Sequence, residues 1–285
     1  MDSVSQDPTT SAQVCYRHPD RQTLLSCSRC GRAICAACST DAAVGQRCPE
    51  CLRDEGTQET IRPTTRRRGG VLQGLSRQGP VTFALIIINV GVFILGSLSP
   101  DVYGWLIQNL AHINASVAQG EWWRMVTVTL VHGGITHILF NMWALAVLGP
   151  QVERGVGRGP FLALYLGAAA MGSAFAFHLG RPGDIGVGAS GAIFGLFGIW
   201  LAWAIQRRNS AYGRYVLNQL GFLLLINAAL PFLIRNISWQ AHLGGLLAGL
   251  FIGMIWGRLR GGSATQNRTT LALAVGAIAV ISTFL

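Results

Sequence analysis

The chain contains no lysine; all 22 of its basic residues are arginine. Codon usage is a sufficient account of that, and no function is read from it. Cysteine is absent beyond Cys51, and beyond residue 60 the only acids are Asp101, Glu121, Glu153 and Asp184. Charge of either sign is sparse: 12% of the 285 residues are charged against 51% hydrophobic, and mean hydropathy is +0.41. A soluble domain carries about a quarter charged residues, so this composition excludes one and points to several membrane spans. No apolar run precedes residue 80, so no secretory signal peptide is expected. A net charge of +10 would suit nucleic acid, but the placement of the arginines suits membrane topology better, and no nucleic-acid partner is expected.

What is present divides into a polar, cysteine-rich head (residues 1–60) and a large apolar body. The head holds four ligand pairs: Cys15-x2-His18, Cys27-x2-Cys30, Cys35-x2-Cys38 and Cys48-x2-Cys51. Two-residue spacing lets both side chains of a pair reach one metal from a tight turn, and Gly31 and Pro49 suit such turns. Eight ligands fill two tetrahedral zinc sites with no position left for water, which argues for structural zinc rather than zinc catalysis. A disulfide framework would need an oxidising compartment. The favoured pairing is interleaved, Cys15/His18 with Cys35/Cys38 and Cys27/Cys30 with Cys48/Cys51; the sequential alternative stays open. The pattern resembles B-box-type zinc fingers of the cross-brace kind over residues 15 to 51. With so small a core, folding should need the metal, and the expected task is binding a cytosolic partner or positioning the body. Residues 61–80, with Pro63, Gly69, Gly70, Gly74 and Arg66-Arg67-Arg68, read as a basic linker in contact with headgroups.

Seven spans are expected, at roughly 81–98, 127–149, 160–179, 186–206, 215–234, 239–257 and 269–285. With the head inside, Arg66, Arg67, Arg68, Arg77, Arg154, Arg158, Arg207, Arg208, Arg214, Arg258, Arg260 and Arg268 fall on the inner side, and only Arg124, Arg181 and Arg235 on the outer. That asymmetry places the N-terminus in the cytosol and the C-terminus outside. The long outer loop, about 99–126, carries Trp105, Trp122 and Trp123, which suit the headgroup layer.

Polar residues inside such spans are costly and usually functional. Ser190 stands in Gly188-Ala189-Ser190-Gly191, small and flexible enough for a sharply turned nucleophile. His137 and Asn141 share one helix face, and His242 opens the sixth span. The topology puts Ser190, His137 and His242 at similar depth on the outer side, although nothing in the arginine argument used them. Serine needs a base, and His242 can serve. The sixth span has no carboxylate to orient that histidine, and Asp184 sits in a Pro-Gly loop as a turn residue, so a dyad is expected, with the ring oriented by packing or uncharged groups. His137, Asn141 and the Ser190 backbone N–H can stabilise an oxyanion; interhelical hydrogen bonding is the other reading of the first two. Gly191 and Gly195, and Gly245, Gly249 and Gly253, recur at four-residue spacing, which allows two helices to approach closely.

In combination, Glu121-Trp122-Trp123-Arg124, His137-Ile138-Leu139-Phe140-Asn141, Glu153-Arg154, Gly188-Ala189-Ser190-Gly191 and Ala241-His242-x2-Gly245-x3-Gly249 resemble the rhomboid intramembrane serine proteases over residues 81–258. The resemblance implies an all-α polytopic fold: a six-helix core at 81–258, with a loop and seventh helix at 259–285 added. It implies Ser190 as nucleophile, His242 as general base, and His137 and Asn141 in the oxyanion hole. Glu121 to Arg124, Glu153 and Arg154 would be structural, and His132 a structural hydrogen-bonding residue. Substrates would be transmembrane proteins cut in or near the bilayer, with no catalytic cofactor. Inactive relatives that only bind such substrates are the alternative, although those lack the nucleophile or the base. A transporter would need paired halves, and no internal repeat is visible. His112 and His178 are expected in interface or packing roles.

Overall fold

The computed structural model describes residues 13–42, 45–54, 79–233, 237–259 and 263–285, with side chains from 227 to 236 left aside. The linker up to residue 78 therefore lies outside the described residues, as do Arg235 and Arg260. The chain forms two compact units, Met1–Arg68 and Gly69–Leu285.

The first unit is built from short pieces. Strands β1 (Gln13–Cys15) and β2 (His18–Thr23) form an antiparallel hairpin, and β3 (Thr40–Asp41) pairs with β4 (Gln46–Arg47). A 3-10 turn at Ala36–Cys38 lies between the hairpins and helix α1 (Pro49–Asp54) follows them. Its interior is six cysteines and Ile34, with Tyr16 packed against them. A core with one buried aliphatic side chain gains too little from apolar burial to offset the ordering of the backbone.

The second unit is helical: α2 (Pro80–Ser97), α3 (Pro100–Leu110), α4 (Asn114–Ala118), α5 (Arg124–Thr127), α6 (Ile135–Val156), α7 (Arg158–Leu179), α8 (Ser190–Gln206), α9 (Ala211–Leu233), α10 (Trp239–Trp256) and α11 (Ala264–Ser282). Among the described residues, α2, α6, α7 and α10 are long and apolar enough to cross a membrane, and α8 is a shorter apolar helix. Helices cover all seven stretches expected from the sequence, with one substantial correction. The second span was expected from 127, but α6 begins only at Ile135. Residues 124–130 form a short helix and a 3-10 turn, and Gly133-Gly134 break the chain before α6.

The helix ends are tied by specific groups. Pro80 opens α2, where its missing N–H costs nothing, and the buried Glu153 carboxylate on α6 accepts hydrogen bonds from Val81 N (3.0 Å), Thr82 N (2.9 Å) and Thr82 Oγ1 (2.8 Å). A residue 71 positions away thus serves as the N-terminal cap. The outer loop is folded rather than loose. Buried Arg124 donates to Glu121, to the Ala111 carbonyl (2.9 Å) and to the Gln108 carbonyl, which locks α3 onto α5. Trp105, Trp122 and Trp123 stay exposed.

The centre is α8 packed between α7 and α10. A Cβ placed on Gly245 would lie 2.9 Å from the Gly191 carbonyl carbon and nearer still to its oxygen; one on Gly249 would lie 2.7 Å from the Gly195 carbonyl carbon. Helices α8 and α10 therefore touch backbone to backbone, as the four-residue glycine spacing predicted. Helix α11 makes a similar crossing on α7, where a Cβ on Gly276 would come within 3.1 Å of Gly167 Cα. Buried Phe161, Leu164, Tyr165, Leu196, Ile252 and Trp256 fill the space around these contacts.

Candidate functional site

The glycine seam brings together two residues separated by 52 positions: Ser190 Oγ lies 2.9 Å from His242 Nε2. Each starts its helix differently. Ser238 caps α10, its hydroxyl accepting from Ala241 N at 3.3 Å. Helix α8 begins at Ser190 itself, and Ala189 before it offers no side-chain cap. The first backbone N–H groups of a helix have no intrahelical acceptor, so those at Ser190 stay available.

The turn into Ser190 is held from two sides. Gly188 has φ +115° and its N–H donates to the Val128 carbonyl (3.1 Å). A Cβ there would stand 2.7 Å from His137 Nε2, so the position needs both the positive φ and the bare face of glycine. Ahead of it, β6 (Ile185–Gly186) pairs with β5 (His112–Ile113) of the outer loop, a ladder the sequence did not announce. His112 is buried there with Nε2 2.7 Å from Asn114 Oδ1, a packing role as expected. Asp184 Oδ2 accepts from Arg181 N at 2.8 Å, so that carboxylate is a turn residue and takes no part in the Ser190–His242 pair.

His137 covers Gly188 with its ring, and its Nδ1 lies 3.5 Å from Gly133 N, leaving Nε2 on the Gly188 side. Asn141 is buried; its amide donates to the His137 carbonyl at 2.8 Å and keeps a second N–H. Ser190, His137 and His242 are each half-buried, so the cluster is neither sealed nor open to lipid on all sides. Sequence reasoning missed Phe194. It stands one helical turn after Ser190, and its ring stacks on His242 with centroids 4.2 Å apart and planes 10° from parallel. The expected orienting group for the histidine is thus an aromatic face; the i, i+4 spacing from Ser190 was the available signal. His178 Nε2 meets Ser282 Oγ at 3.2 Å and ties α7 to α11.

In the head, the eight ligand residues form two groups, Cys15/His18/Cys35/Cys38 and Cys27/Cys30/Cys48/Cys51, with the ligand atoms of each within 4.8 Å of one another. The grouping is interleaved. A tetrahedral zinc with Zn–S of about 2.3 Å sets two sulfurs about 3.8 Å apart. Cys30 and Cys48 sulfurs lie 3.7 Å apart, and His18 Nδ1 lies 3.8, 3.4 and 3.3 Å from the sulfurs of Cys15, Cys35 and Cys38. The residues therefore fit a metal of that size. Burial alone would push the Cys27 thiol up, but the backbone N–H groups of Cys30, Arg29 and Cys48 bring it down to about 6, which favours the thiolate a metal requires. Arg32 adds positive charge, its Nε 3.3 Å from Cys30 Sγ.

A bundle of apolar helices holding a serine–histidine contact between two of them defines a class, the polytopic membrane proteins with a polar cluster inside the bundle. Residues 119–259 match the Rhomboid domain family. The chain is 33% identical over 184 residues to a putative rhomboid protease, YdcA, of Bacillus subtilis (strain 168), covering 64% of this chain and 92% of that protein. It is 34% identical over 204 residues to rhomboid protease GluP of the same organism, covering 68% of this chain but 39% of GluP. Rhomboid protease AarA of Providencia stuartii is 28% identical over 206 residues, 62% of this chain and 72% of AarA. The chain belongs to the rhomboid family and is a multi-pass membrane protein.

Proposed function

We propose that this protein is an intramembrane serine endopeptidase that hydrolyses peptide bonds in or near the transmembrane segments of membrane proteins, using a Ser190–His242 dyad. The observation that carries the reading is the 2.9 Å contact between Ser190 Oγ and His242 Nε2. Ser190 donates its hydroxyl proton to His242 as Oγ attacks the scissile carbonyl, and His242 returns that proton to the departing amine. Water then attacks the acyl-enzyme with His242 again as base. The tetrahedral oxyanion is met by the His137 ring N–H, the second Asn141 amide N–H and the Ser190 backbone N–H; one such donor contributes roughly 3 kcal/mol. A candidate nucleophile and a candidate base are present and in contact, which supports this reading over that of a relative that only binds its substrates.

Seven spans, a cytoplasmic head and an outer C-terminus in the cell membrane complete the reading, supported by the arginine asymmetry. The test is cleavage of a transmembrane substrate in liposomes by the wild type and Ser190→Ala side by side. Cutting by the wild type alone supports the assignment; equal cutting by both removes it. Phe194→Leu should lower kcat about tenfold with KM little changed, because it removes the flat surface under the His242 ring; steady-state kinetics checks this.

The head is read as a B-box-like cross-brace with two structural zinc ions, binding a cytosolic protein or positioning the body. Metal analysis should find two zinc ions per chain and about one in Cys27→Ser. Chelation should expose residues 13–54 to limited proteolysis, since the head has no other core.

A further inference from the structure

His132 is 2% exposed, yet apart from the Leu130 carbonyl that its ring faces, neither of its nitrogens has a hydrogen-bond partner among the described residues. The family resemblance marks it as a structural hydrogen-bonding residue, but the structure supplies no protein group adequate to that role. What it supplies is space. His132 lines a cavity of about 190 Å³ between α2, α3 and the turn before α6, together with Ser97, Tyr103, Leu106 and Gly133. A bound water needs roughly 10–15 Å³ of such space and two or more polar partners. The cavity has room for several, and its polar side chains are the His132 ring, Tyr103 with its phenolic hydroxyl, and Ser97, whose hydroxyl donates to the Phe93 carbonyl at 2.8 Å and keeps its lone pairs free. A buried imidazole without partners is rare in a native fold, and a dry cavity is an apolar one.

We propose that this cavity is a water-binding site, and that water held on His132 fixes that ring as the positioning residue for His137. The geometry of the link is on one side of the cavity wall. The His132 ring meets the His137 ring edge-on, with centroids 5.2 Å apart and planes at 63°, and Gly133, which lines the cavity, has its N–H 3.5 Å from His137 Nδ1. His137 in turn lies against Gly188, two residues from Ser190. Neither His137 nor Ser190 lines the cavity. Water on the cavity side would hold the His132 ring from a second point; without it only the Leu130 carbonyl restrains the aromatic edge that abuts His137. The part of this inference that concerns turnover rests on the protease reading.

The experiment is radiolytic hydroxyl labelling of the full-length protein in detergent prepared in 18O-water, read by mass spectrometry, beside cleavage kinetics. Buried Leu106 and its neighbour Phe93 should take up label from water in the cavity. His132→Leu should reduce that uptake several-fold and lower kcat about tenfold with KM unchanged, and His132→Gln, which can hold water, should restore both in large part. Val92→Phe fills the cavity with His132 intact and should reproduce the loss if His132→Leu fails to fold. No labelling of Leu106 and Phe93 in the wild type, or unchanged labelling and kcat in Val92→Phe, overturns the proposal. A wild type that is labelled but cuts no substrate would leave the water site standing and remove the protease reading instead.

Discussion

His242→Ala should abolish substrate cleavage as completely as Ser190→Ala, each by a factor on the order of 10⁴ or more, and the double variant should be no worse than either single one. The two groups act as one unit: the serine is a weak nucleophile without a base, and the base has nothing to activate without the serine. Their 2.9 Å contact is the only ionisable partnership Ser190 has among the described residues, since Asp184 is held by Arg181 N. A double variant that lost the product of the two single effects would show that the residues act independently, and the dyad assignment would fail. Both single variants should keep the wild-type thermal transition in detergent, because neither side chain fills the packed core around Leu196 and Ile252.

Gly245→Val should remove activity through geometry alone. The new side chain would be driven into the Gly191 carbonyl, at a crossing with no flexible atom to give way. Helices α8 and α10 must then separate, and the contact most directly lengthened is the one beside it, since Ser190 adjoins Gly191 and His242 lies one turn before Gly245. A displacement near 1 Å can cost about 10²-fold in rate, and overpacking costs roughly 1–3 kcal/mol of stability. Cleavage kinetics and thermal unfolding measure the two effects. Gly91→Ala on α2 is the control, because a Cβ there meets nothing within 4 Å. Full activity in Gly245→Val would mean that the seam does not set the Ser190–His242 distance.

How much of this was legible beforehand differs by element. The four cysteine and histidine pairs were readable because metal ligation imposes a spacing on the chain itself. Which pairs come together could be favoured as interleaved but not decided, since interleaved and sequential groupings satisfy the same spacing; the path of the two hairpins separates them. The helices were readable from apolar length, but the start of α6 was not. Residues 127–131 read as a continuation of the apolar run, and what turns them aside is the glycine pair and the anchoring of Arg124 in the outer loop.

The sequence by itself determined the inventory: a head with four Cys/His pairs at metal-ligand spacing, a body for the membrane, one serine with two histidines and an asparagine set in apolar helices, and glycines at the spacing of a close crossing. Local chemistry and hydropathy are enough for that, because each depends on residues near one another in the chain. Tertiary structure alone decided that α8 and α10 touch along their glycines so that Ser190 meets His242, that Phe194 is the surface against which the histidine rests, that Glu153 caps a helix 71 residues upstream, and that His132 lines a cavity. These are contacts between segments far apart in the chain. They are set by how side chains of different helices share one volume, and no local pattern encodes that.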